Sequence, residues 1–574
     1  MGGNFTVKLA VSVYLALVVL LIFRIGQGNR NKRHTTEASD MKTKQLQGYT
    51  GTRLPRIRQE TEIKRMPNYF GPGAKGERIS IPRDVTKKYE SSKNKSLLYG
   101  VNNFISDMIG IKRILPDKRP EKCKEIEYPS DLPEVSIVIV FREEPIASLL
   151  RTIYSVLETS PDHLIKEIIL VDDGSQDIYF KAAVNVHVAN VEKLKLLTNN
   201  QTLGLMRARQ RGIEATQSKY FIVLDGHIEV TPRWLEPLLY RLVQEPNALL
   251  TSHIGNMDRE TFQLQIMAKN DIAFMFFDQI TLNELWVHYS DNFRLSRNGS
   301  VSPIPYGIVP GMMTAMRKDF FLRLGGFDPG MEIWGIEHME LSVKVWLCDG
   351  LVEMVPCSII GHVYRQTPWQ SFHPNAPYIA KNMLRFAHVW MDGDLQKLAL
   401  QLQHKSNLSA WPDPGDLQDR HRIRRENNCK PYQYYIDKIR QLTNTYIPKS
   451  PRIVGVVRNV KTKACLDHAV IDEKFLLISY ACSGNNNQFF VLTEGFNIRV
   501  ERSWLTVKPG TLILNLLRDI QDWSGPEFKW NFEQNGTIKH LLTEKCLTAS
   551  ETSNVTLEEC TDSPYQVWQW PVKQ

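Results

Sequence analysis

The chain has 574 residues, a formal net charge of +9, and a composition that is 42% hydrophobic and 23% charged. This length exceeds what one ordinary hydrophobic core supports, so we expect two or three folded units. Basic clusters at 30–33 and 420–425 come without any recognisable RNA- or DNA-binding module, which disfavours nucleic acid as a partner and indicates a solvated basic surface. Such a surface also suits an acidic small-molecule ligand.

The first predicted element is a membrane-spanning segment. Residues 9–23 are uncharged and flanked by Lys8 and Arg24, and the segment reaches a spanning length if both cations extend to the interface. Because no clear small-residue cleavage site follows, we predict an uncleaved signal-anchor at 9–25 behind a short cytoplasmic tail at 1–8. The cations on its C-terminal side would, by charge alone, place the large part of the chain in the cytosol.

Residues 26–120 are rich in polar and basic side chains with little periodicity, which predicts a disordered or loosely packed stem. A folded unit is expected at 121–440. There, apolar runs at 135–141 and 167–171 are typical of strands, and helical spacing at 147–157 separates them. Strand, helix, strand and an acidic turn beginning at Asp172 indicate an α/β fold whose parallel sheet binds a nucleotide at the carboxyl ends of its strands.

Neither G-x-x-x-x-G-K-[ST] nor G-x-G-x-x-G occurs, which disfavours a P-loop protein or a dinucleotide dehydrogenase. Instead, Asp225 and His227 follow a strand-like run at 220–224 and project to the same side of it. His362 could complete a set of one oxygen and two nitrogen ligands, which suits Mn²⁺ holding the diphosphate of a sugar nucleotide. The alternative is a strand end with an incidental Asp and a surface His.

The C-terminal part, 453–574, follows a Pro-containing linker at 441–452 and has short strand-like runs in three repeats of about forty residues, which predicts a β-trefoil. Asp467 and Asn487 in the first repeat could grip sugar hydroxyls, whereas the third repeat has Thr548 in place of the Asp. The alternative is a C-terminal domain with only a structural role, which packs against the rest of the protein without binding sugar. The eight cysteines of the chain include no C-x-x-C motif, which argues against zinc. Two pairs are suggested within this part: Cys465 with Cys482, and Cys546 with Cys560.

From about Cys123 onwards the chain resembles the UDP-GalNAc:polypeptide N-acetylgalactosaminyltransferases, which start mucin-type O-glycosylation. The resemblance rests on motifs in the family's order at 149–152, 167–173, 204–209, 234–239, 330–335 and 389–392. It implies a GT-A glycosyltransferase domain, a C-terminal ricin-like lectin domain and a retaining, Mn²⁺-dependent transfer of GalNAc from UDP-GalNAc to Ser or Thr of secretory proteins. Together with the cysteines, the resemblance outweighs the orientation suggested by the cations after the anchor. It implies a single-pass type II protein of the Golgi membrane with a lumenal catalytic domain.

The resemblance also assigns roles to residues. Its family pattern places Mn²⁺ on Asp225, His227 and His362, and places Glu337 on the GalNAc, with Trp334 beside the donor and its lid. No covalent nucleophile is expected, since the leaving phosphate can take the proton of the acceptor hydroxyl. Four further substrate contacts are implied, at Asp172, Arg207, Gly311 and Arg365. Two further disulfide bonds are implied, Cys123 with Cys357 and Cys348 with Cys429.

Several positions depart from the family pattern. Arg142 replaces a His near the expected uridine site, Thr202 replaces an Arg, Met312 replaces a Gly, and His338 replaces the Asn after the sugar-contacting Glu. The expected lid after Trp369 lacks the usual Gly-Gly, so its hinge is expected to be stiffer. These departures leave a second interpretation open: a weakly active or inactive transferase-like lumenal protein that binds GalNAc-bearing glycoproteins through its lectin domain.

Overall fold

The structure is a computed structural model, and it describes residues 71–79, 99–266, 273–297, 299–365, 378–405, 412–444, 447, 451–471, 474–483, 486–501, 503–518 and 523–570. The expected cytoplasmic tail, the signal-anchor at 9–25, most of the stem and the lid after Trp369 lie outside these residues. Among the residues that the structure describes, none of the helices has both the length and the apolar character needed to cross a membrane.

The α-helices of the described residues are α1 (Asn103–Met108), α2 (Glu121–Lys124), α3 (Ile146–Thr159), α4 (Ile178–Asn190), α5 (Leu205–Ala215), α6 (Leu235–Gln244), α7 (Asp291–Arg297), α8 (Lys318–Arg323), α9 (Glu337–Leu347), α10 (Tyr378–Trp390), α11 (Gly393–Lys405), α12 (Gln418–Glu426) and α13 (Tyr432–Leu442). Short 3-10 helices lie at Ala74–Gly76, Asp162–Leu164, Asn486–Gln488 and Pro526–Phe528.

The strands before residue 450 are β1 (Val135–Phe141), β2 (Ile165–Asp172), β3 (Leu194–Thr198), β4 (Tyr220–Asp225), β5 (Ile228–Val230), β6 (Ala248–Met257), β7 (Leu264–Gln265), β8 (Ala273–Phe277), β9 (Glu284–His288), β10 (Ile304–Pro305), β11 (Met313–Arg317) and β12 (Leu351–Val363). All except β8 and β9 form one sheet, with the order β10-β12-β6-β11-β4-β1-β2-β3, β5 beside β12 and β7 beside β6. The hairpin β8–β9 stands apart as a two-stranded sheet.

Four neighbouring strands of the large sheet are parallel, and their burial explains the apolar runs in the sequence. Strands β3, β2, β1 and β4 run parallel to one another, and every residue of β1 is buried. Such continuous apolar strands occur where helices cover both faces of a sheet. The register pairs Phe141 with Asp172 and Val140 with Asp225, so both carboxylates lie at the same edge. The α/β class predicted from the sequence is therefore confirmed.

Strand β12 brings a distant part of the chain to the edge where Asp172 and Asp225 lie. Strand β12 pairs with β6 in parallel and with β5 in antiparallel fashion, which places His362 opposite Ile228. The pairing of β12 with β6 shifts register between Val355 and Ile359, a bulge-like irregularity. Cys357 lies inside this interval and is bonded to Cys123 of α2. The N-terminal edge of the unit is thus covalently joined to the strand that carries His362.

The structure contains three further disulfide bonds, Cys348–Cys429, Cys465–Cys482 and Cys546–Cys560, and the eight cysteines are all paired. These are the pairs that the sequence and the family resemblance imply. The bonds Cys123–Cys357 and Cys348–Cys429 join residues that are 234 and 81 positions apart in sequence. Long closed loops restrict the unfolded chain most, so these two bonds are expected to stabilise the unit most.

The C-terminal strands are β13 (Ile453–Val456), β14 (Arg458–Asn459), β15 (Cys465–Ile471), β16 (Lys474–Tyr480), β17 (Phe489–Leu492), β18 (Ile498–Val500), β19 (Ser503–Val507), β20 (Leu514–Arg518), β21 (Trp530–Phe532), β22 (Ile538–His540), β23 (Cys546–Ala549), β24 (Val555–Glu558) and β25 (Trp568–Gln569). They form three small sheets around one apolar core. Trp530 and Trp568 are buried in that core and donate their indole N–H to the carbonyls of Leu505 and Leu547, at 3.0 and 2.9 Å. These equivalent contacts reflect the repeat seen in the sequence.

The C-terminal domain packs on the hairpin β8–β9 of the larger α/β unit. Arg499 Nη2 donates to Asp278 Oδ2 at 2.9 Å, and both side chains are buried. An apolar cluster surrounds this ion pair, formed by Ile280, Leu398, Val454, Phe489 and Val491. Since a buried ion pair needs a close partner, this contact fixes the position of the hairpin against the C-terminal domain.

Candidate active site

Three ligand-type side chains meet at the carboxyl edge of the sheet. Asp225 ends β4, His227 follows it, and His362 lies near the end of β12; one ligand atom from each lies within 4.8 Å of the other two. His362 Nε2 is 3.8 Å from Asp225 Oδ2, and the two imidazole ring centroids are 4.8 Å apart. The three metal ligands predicted from the sequence are therefore brought together.

The charge state of these groups suits a divalent cation. Burial opposes ionisation of Asp225, but the nearby Arg209 guanidinium and the His362 imidazole outweigh it and hold the pKa of this carboxyl well below its usual range. Burial lowers the pKa of His362 to about 4, so its ring is neutral near pH 7 and keeps a lone pair. Its buried Nδ1 has no hydrogen-bond partner among the described residues. One carboxylate oxygen and two imidazole nitrogens form a donor set that fits Mn²⁺.

Arg209 links this cluster to Glu337. Its guanidinium is buried and donates to Asp225 Oδ1 at 2.8 Å and to Glu337 Oε1 at 3.1 Å. The sequence analysis did not assign Arg209 and chose Arg207 instead. Arg207 is exposed on the other side of α5, where it donates to the Pro329 carbonyl at 3.1 Å. The helical spacing of Met206, Arg209 and Ile213, all buried, would have indicated which arginine faces inward.

Glu337 is the first residue of α9 and is almost completely buried. Burial opposes its ionisation, yet His338 and Arg209 outweigh this effect and lower its pKa to about 2. Its Oε2 is buried without a hydrogen-bond partner among the described residues. A side chain on Gly311 would place its Cβ 3.3 Å from Glu337 Oε1, so a glycine there leaves room beside the carboxylate. Trp334 is partly exposed, and its carbonyl accepts from Asn382 at 3.3 Å.

His338 lies between two carboxylates. Its Nε2 is 2.9 Å from Glu284 Oε1, and its Nδ1 is 3.8 Å from Glu337 Oε1. Burial opposes the charge of this imidazole, but the two carboxylates outweigh it and raise its pKa to about 10. The residue is therefore an imidazolium at neutral pH. Glu284, at the start of β9, was not identified from the sequence, because nothing in its local pattern indicates a partner on α9.

A second cationic contact lies on the opposite side of the three ligands. Arg365 Nη2 is 2.7 Å from His227 Nδ1 and forms an ion pair with Glu144, whose Oε1 is 3.4 Å from the same ring nitrogen. Burial opposes ionisation of Glu144, but Arg365 and His227 lower its pKa to about 2. A guanidinium can only donate, so Nδ1 of His227 accepts from Arg365, and Glu144 acts on this ring through Arg365. Arg365 thus lies beside the predicted metal ligands, and Glu144 is a neighbour that sequence reasoning missed.

Two aspartates in the acidic turn after β2 accept hydrogen bonds from backbone N–H groups. Asp173 accepts backbone N–H groups from Leu203 and Gly204 at 2.8 and 3.0 Å, so it holds the loop before α5. Asp172 is buried, and its Oδ1 accepts from Ser175 N at 2.8 Å. Asp172 therefore lies at the sheet edge where a nucleotide is expected, whereas Asp173 is structural.

Three of the departing residues line the surroundings of this site. Met312 accepts the Asp225 N–H through its carbonyl at 3.1 Å, and its Sδ is 3.7 Å from the Tyr364 hydroxyl. Arg142 is partly buried, with no hydrogen-bond partner for Nε among the described residues. Thr202 is partly buried in the loop before α5. Whether these side chains crowd a sugar nucleotide stays a prediction.

In the C-terminal domain, the polar pair predicted from the sequence lies together. Asp467 is buried and accepts from Asn487 Nδ2 and from Gln488 Nε2, both at 2.7 Å. At the corresponding place in the third repeat, Thr548 Oγ1 accepts from Gln566 Nε2 at 3.0 Å. The first repeat therefore presents an oriented carboxylate, and the third presents only a hydroxyl.

Comparison with known proteins agrees with both domains. Family models described as "Glycosyl transferase family 2", "N-terminal domain of galactosyltransferase" and "Ricin-type beta-trefoil lectin domain" match residues 136–319, 300–367 and 453–568. Polypeptide N-acetylgalactosaminyltransferase 13 of Homo sapiens is 33% identical over 511 residues, covering 87% of this chain and 89% of that protein. Polypeptide N-acetylgalactosaminyltransferase 4 of Mus musculus is 32% identical over 534 residues, covering 87% and 88%.

A solved structure is also similar over most of the chain. The crystal structure of GalNAc-T7 with UDP, GalNAc and Mn²⁺ superimposes with a TM-score of 0.73 at 25% sequence identity. The match covers 92% of this chain and 96% of that one. It therefore extends over both domains described above.

Proposed function

Because the chain belongs to the polypeptide N-acetylgalactosaminyltransferase family, we propose that it transfers GalNAc from UDP-GalNAc to Ser or Thr hydroxyls of secretory-pathway proteins. The proposed transfer retains the anomeric configuration and depends on Mn²⁺. The observation that carries this proposal is the linked set of Asp225, His227 and His362 with Glu337, joined through the buried Arg209.

The metal ligands have a defined task in this proposal. Asp225, His227 and His362 would hold Mn²⁺, whose charge offsets the charge that develops on the leaving diphosphate. Arg209 holds Asp225 Oδ1, which leaves Oδ2 on the side of His362. Glu144 holds Arg365, which donates to Nδ1 of His227, and together they restrain the orientation of that ring. Arg365 adds a positive charge beside the same ring, where it can meet phosphate oxygens.

The sugar and the acceptor are handled by other groups. Glu337 Oε2, buried and unpartnered among the described residues, is a strong acceptor for a sugar hydroxyl. Asp172 is positioned at the edge where the uridine is expected. In the proposed front-face step the bond from the anomeric carbon to phosphate oxygen breaks as a bond to the acceptor oxygen forms on the same face. The acceptor proton passes to the leaving phosphate, so the protein need not supply a covalent nucleophile.

The proposed location is the Golgi membrane, with residues 9–25 as a type II anchor and the folded domains in the lumen. Four disulfide bonds support an oxidising compartment. Protease treatment of sealed microsomes should leave the folded domains protected. Digestion of these domains without detergent would reject the proposed topology.

The activity is tested by transfer of labelled GalNAc to Ser/Thr-rich peptides by the purified protein with Mn²⁺. Transfer that requires Mn²⁺ is expected. Absence of transfer, together with no calorimetric signal for UDP-GalNAc, would reject the proposal.

A second candidate function is favoured by Asp467 and its two amide partners, combined with the departures at Arg142 and Met312. It is a lumenal protein that binds GalNAc-bearing glycoproteins without transferring sugar. This candidate predicts glycan binding that is abolished by Asp467→Ala and unaffected by His227→Ala, with no transfer by the wild type.

A further inference from the structure

His338 and Glu284 form an ion pair, buried at His338 and partly exposed at Glu284, that the proposed chemistry has not used. His338 is the second residue of α9 and is 5% exposed, and Glu284 begins β9 in the separate hairpin. His338 Nε2 lies 2.9 Å from Glu284 Oε1. Desolvating an imidazole next to a carboxylate is costly unless the two are charged and close. The pair therefore places a fixed cation directly beside Glu337.

Both cations that face Glu337 act on the same oxygen. Arg209 Nη1 is 3.1 Å from Glu337 Oε1, and His338 Nδ1 is 3.8 Å from that atom. Glu337 Oε2 has no hydrogen-bond partner among the described residues although it is buried. A carboxylate that is attracted at one oxygen from two directions resists rotation about its terminal bond. Its other oxygen is thereby kept available for a ligand.

The position of Glu284 is itself restrained. It pairs with Phe277 across the hairpin, and the turn between them is closed by Asp278, whose Oδ1 accepts from Ile280 N and Thr281 N at 3.1 and 2.9 Å. The other oxygen of Asp278 accepts from Arg499 of the C-terminal domain. The carboxylate that contacts His338 is thus presented beside a turn that is held by its own hydrogen bonds and by the C-terminal domain.

We propose that His338, held by Glu284, is a positioning residue that orients Glu337 toward the sugar of the nucleotide donor. This proposal rests on the proposed function, since it names the group that sets the geometry of the sugar-binding carboxylate. The family usually has Asn at this position, so His338→Asn is the informative replacement. In this chain that replacement is expected to weaken sugar binding, because the charge on one side of Glu337 is lost.

The test compares two ligands that differ only in the sugar. UDP-GalNAc and UDP affinities are measured by calorimetry with Mn²⁺ present, for the wild type, His338→Asn and Glu284→Gln. Both variants should lose about 5- to 20-fold in UDP-GalNAc affinity, as expected for loss of a charge-assisted contact. Their UDP affinity should stay within about twofold of wild type, because Glu284 and His338 face the sugar-binding carboxylate. Glu192→Gln, at an exposed site between α4 and β3, is the matched carboxylate control.

Glu284→Gln keeps the shape of a partly exposed side chain, so it separates positioning from folding. In transfer assays it should raise the KM for the donor more than it lowers kcat. UDP-GalNAc affinity that is unchanged in both variants would overturn the positioning role and leave the proposed function intact. A wild-type protein that binds UDP and UDP-GalNAc equally, and transfers no sugar, would overturn the proposed function and the positioning role with it.

Discussion

Opposite charges alternate through the site at the scale of single residues. Asp225, Arg209, Glu337, His338 and Glu284 follow one another, each with a partner of opposite sign within 3.8 Å. Buried charges are tolerated when every member has a partner, and removal of one member leaves another uncompensated. Arg209 is buried and joins two carboxylates, so its removal is expected to lower stability.

Replacing Arg209 by Met keeps an unbranched apolar stem and removes the guanidinium charge. Asp225 and Glu337 would then be buried with fewer partners, and we expect a loss on the order of 3 kcal/mol in the free energy of unfolding. Urea denaturation followed by fluorescence measures this loss. Arg207→Met, on the exposed side of the same helix, is the control and should change stability by less than about 0.5 kcal/mol. Equal effects of the two substitutions would contradict the inward role of Arg209.

Replacing His227 or His362 by Ala should remove a metal ligand. We expect Mn²⁺ affinity to fall by about 10- to 100-fold or more, since even partners of metal ligands contribute that much. Calorimetric titration with Mn²⁺ measures the affinity, and circular dichroism verifies that the fold persists. His163→Ala, at an exposed position, should leave Mn²⁺ binding unchanged. Unaltered Mn²⁺ affinity in both site variants would remove the metal assignment.

The protonation of His338 predicts a pH dependence of stability. Its pKa is raised from 6.5 to about 10 in the folded protein, where Glu284 of β9 and Glu337 of α9 face it. Above pH 6.5 the folded state therefore holds a proton that the unfolded state has lost, so this contribution to stability declines as pH rises to about 10. Chemical denaturation at a series of pH values should show this decline in the wild type. His338→Asn should show a smaller decline over the same range, and an identical slope would contradict the assignment.

How far the sequence predicts the site depends on how local each contact is. Asp225 and His227 follow from the period of a strand, whereas His362 could be proposed only as a ligand able to complete the set, because β12 is remote in sequence. Glu284 was beyond prediction: its contact with His338 depends on where a separate hairpin lies against α9. Such contacts between remote elements leave no trace in local periodicity.

At the scale of secondary structure, the strands and helices near the nucleotide edge agree well with the sequence. The apolar run predicted at 135–141 is β1, and the helical spacing at 147–157 lies inside α3 (Ile146–Thr159). These elements are buried and strongly periodic, so local pattern and tertiary packing favour the same state. The hairpin β8–β9 was not predicted. Its turn depends on the Asp278 side chain, and its outer contacts come from α13 and the C-terminal domain.

The contact of this hairpin with the C-terminal domain can be broken at one residue. Arg499→Met leaves Asp278 buried without its ion-pair partner, and we expect a loss on the order of 3 kcal/mol. Calorimetric unfolding should separate into two transitions as the domains lose their coupling. Arg458→Met, at an exposed position on β14 of the same domain, should leave the unfolding profile unchanged. A single unaltered transition in Arg499→Met would show that the apolar contacts alone couple the domains.

At the scale of the whole molecule, one chain joins a domain built on a single large sheet to a C-terminal domain built from three repeats. The second and third C-terminal repeats keep equivalent buried tryptophans, whereas the polar groups of the first and third repeats differ. Asp467 has two amide partners, and Thr548 has one. The three repeats are therefore structurally similar and unequal as candidate sugar sites.

This inequality predicts where glycans bind. Asp467→Ala should abolish binding of GalNAc-bearing glycopeptides, because it removes the carboxylate that orients Asn487. Transfer to peptides without sugar should change by less than about twofold, since the substitution lies in the other domain. Surface plasmon resonance with immobilised glycopeptides measures binding, and Thr548→Ala is the control that should retain it. Loss of binding in Thr548→Ala alone would assign the sugar site to the third repeat.

The bond between Cys123 and Cys357 bears on how firmly the strand that carries His362 is held. It fastens β12 at the irregular stretch between Val355 and Ile359, just ahead of the residues that lead to His362. A chain kept in a reducing environment would retain the parallel strands of the nucleotide edge. It would present its last metal ligand from a strand secured by β5, β6 and β10 alone. Oxidation of this cysteine pair is thus expected to hold in place the strand that carries His362.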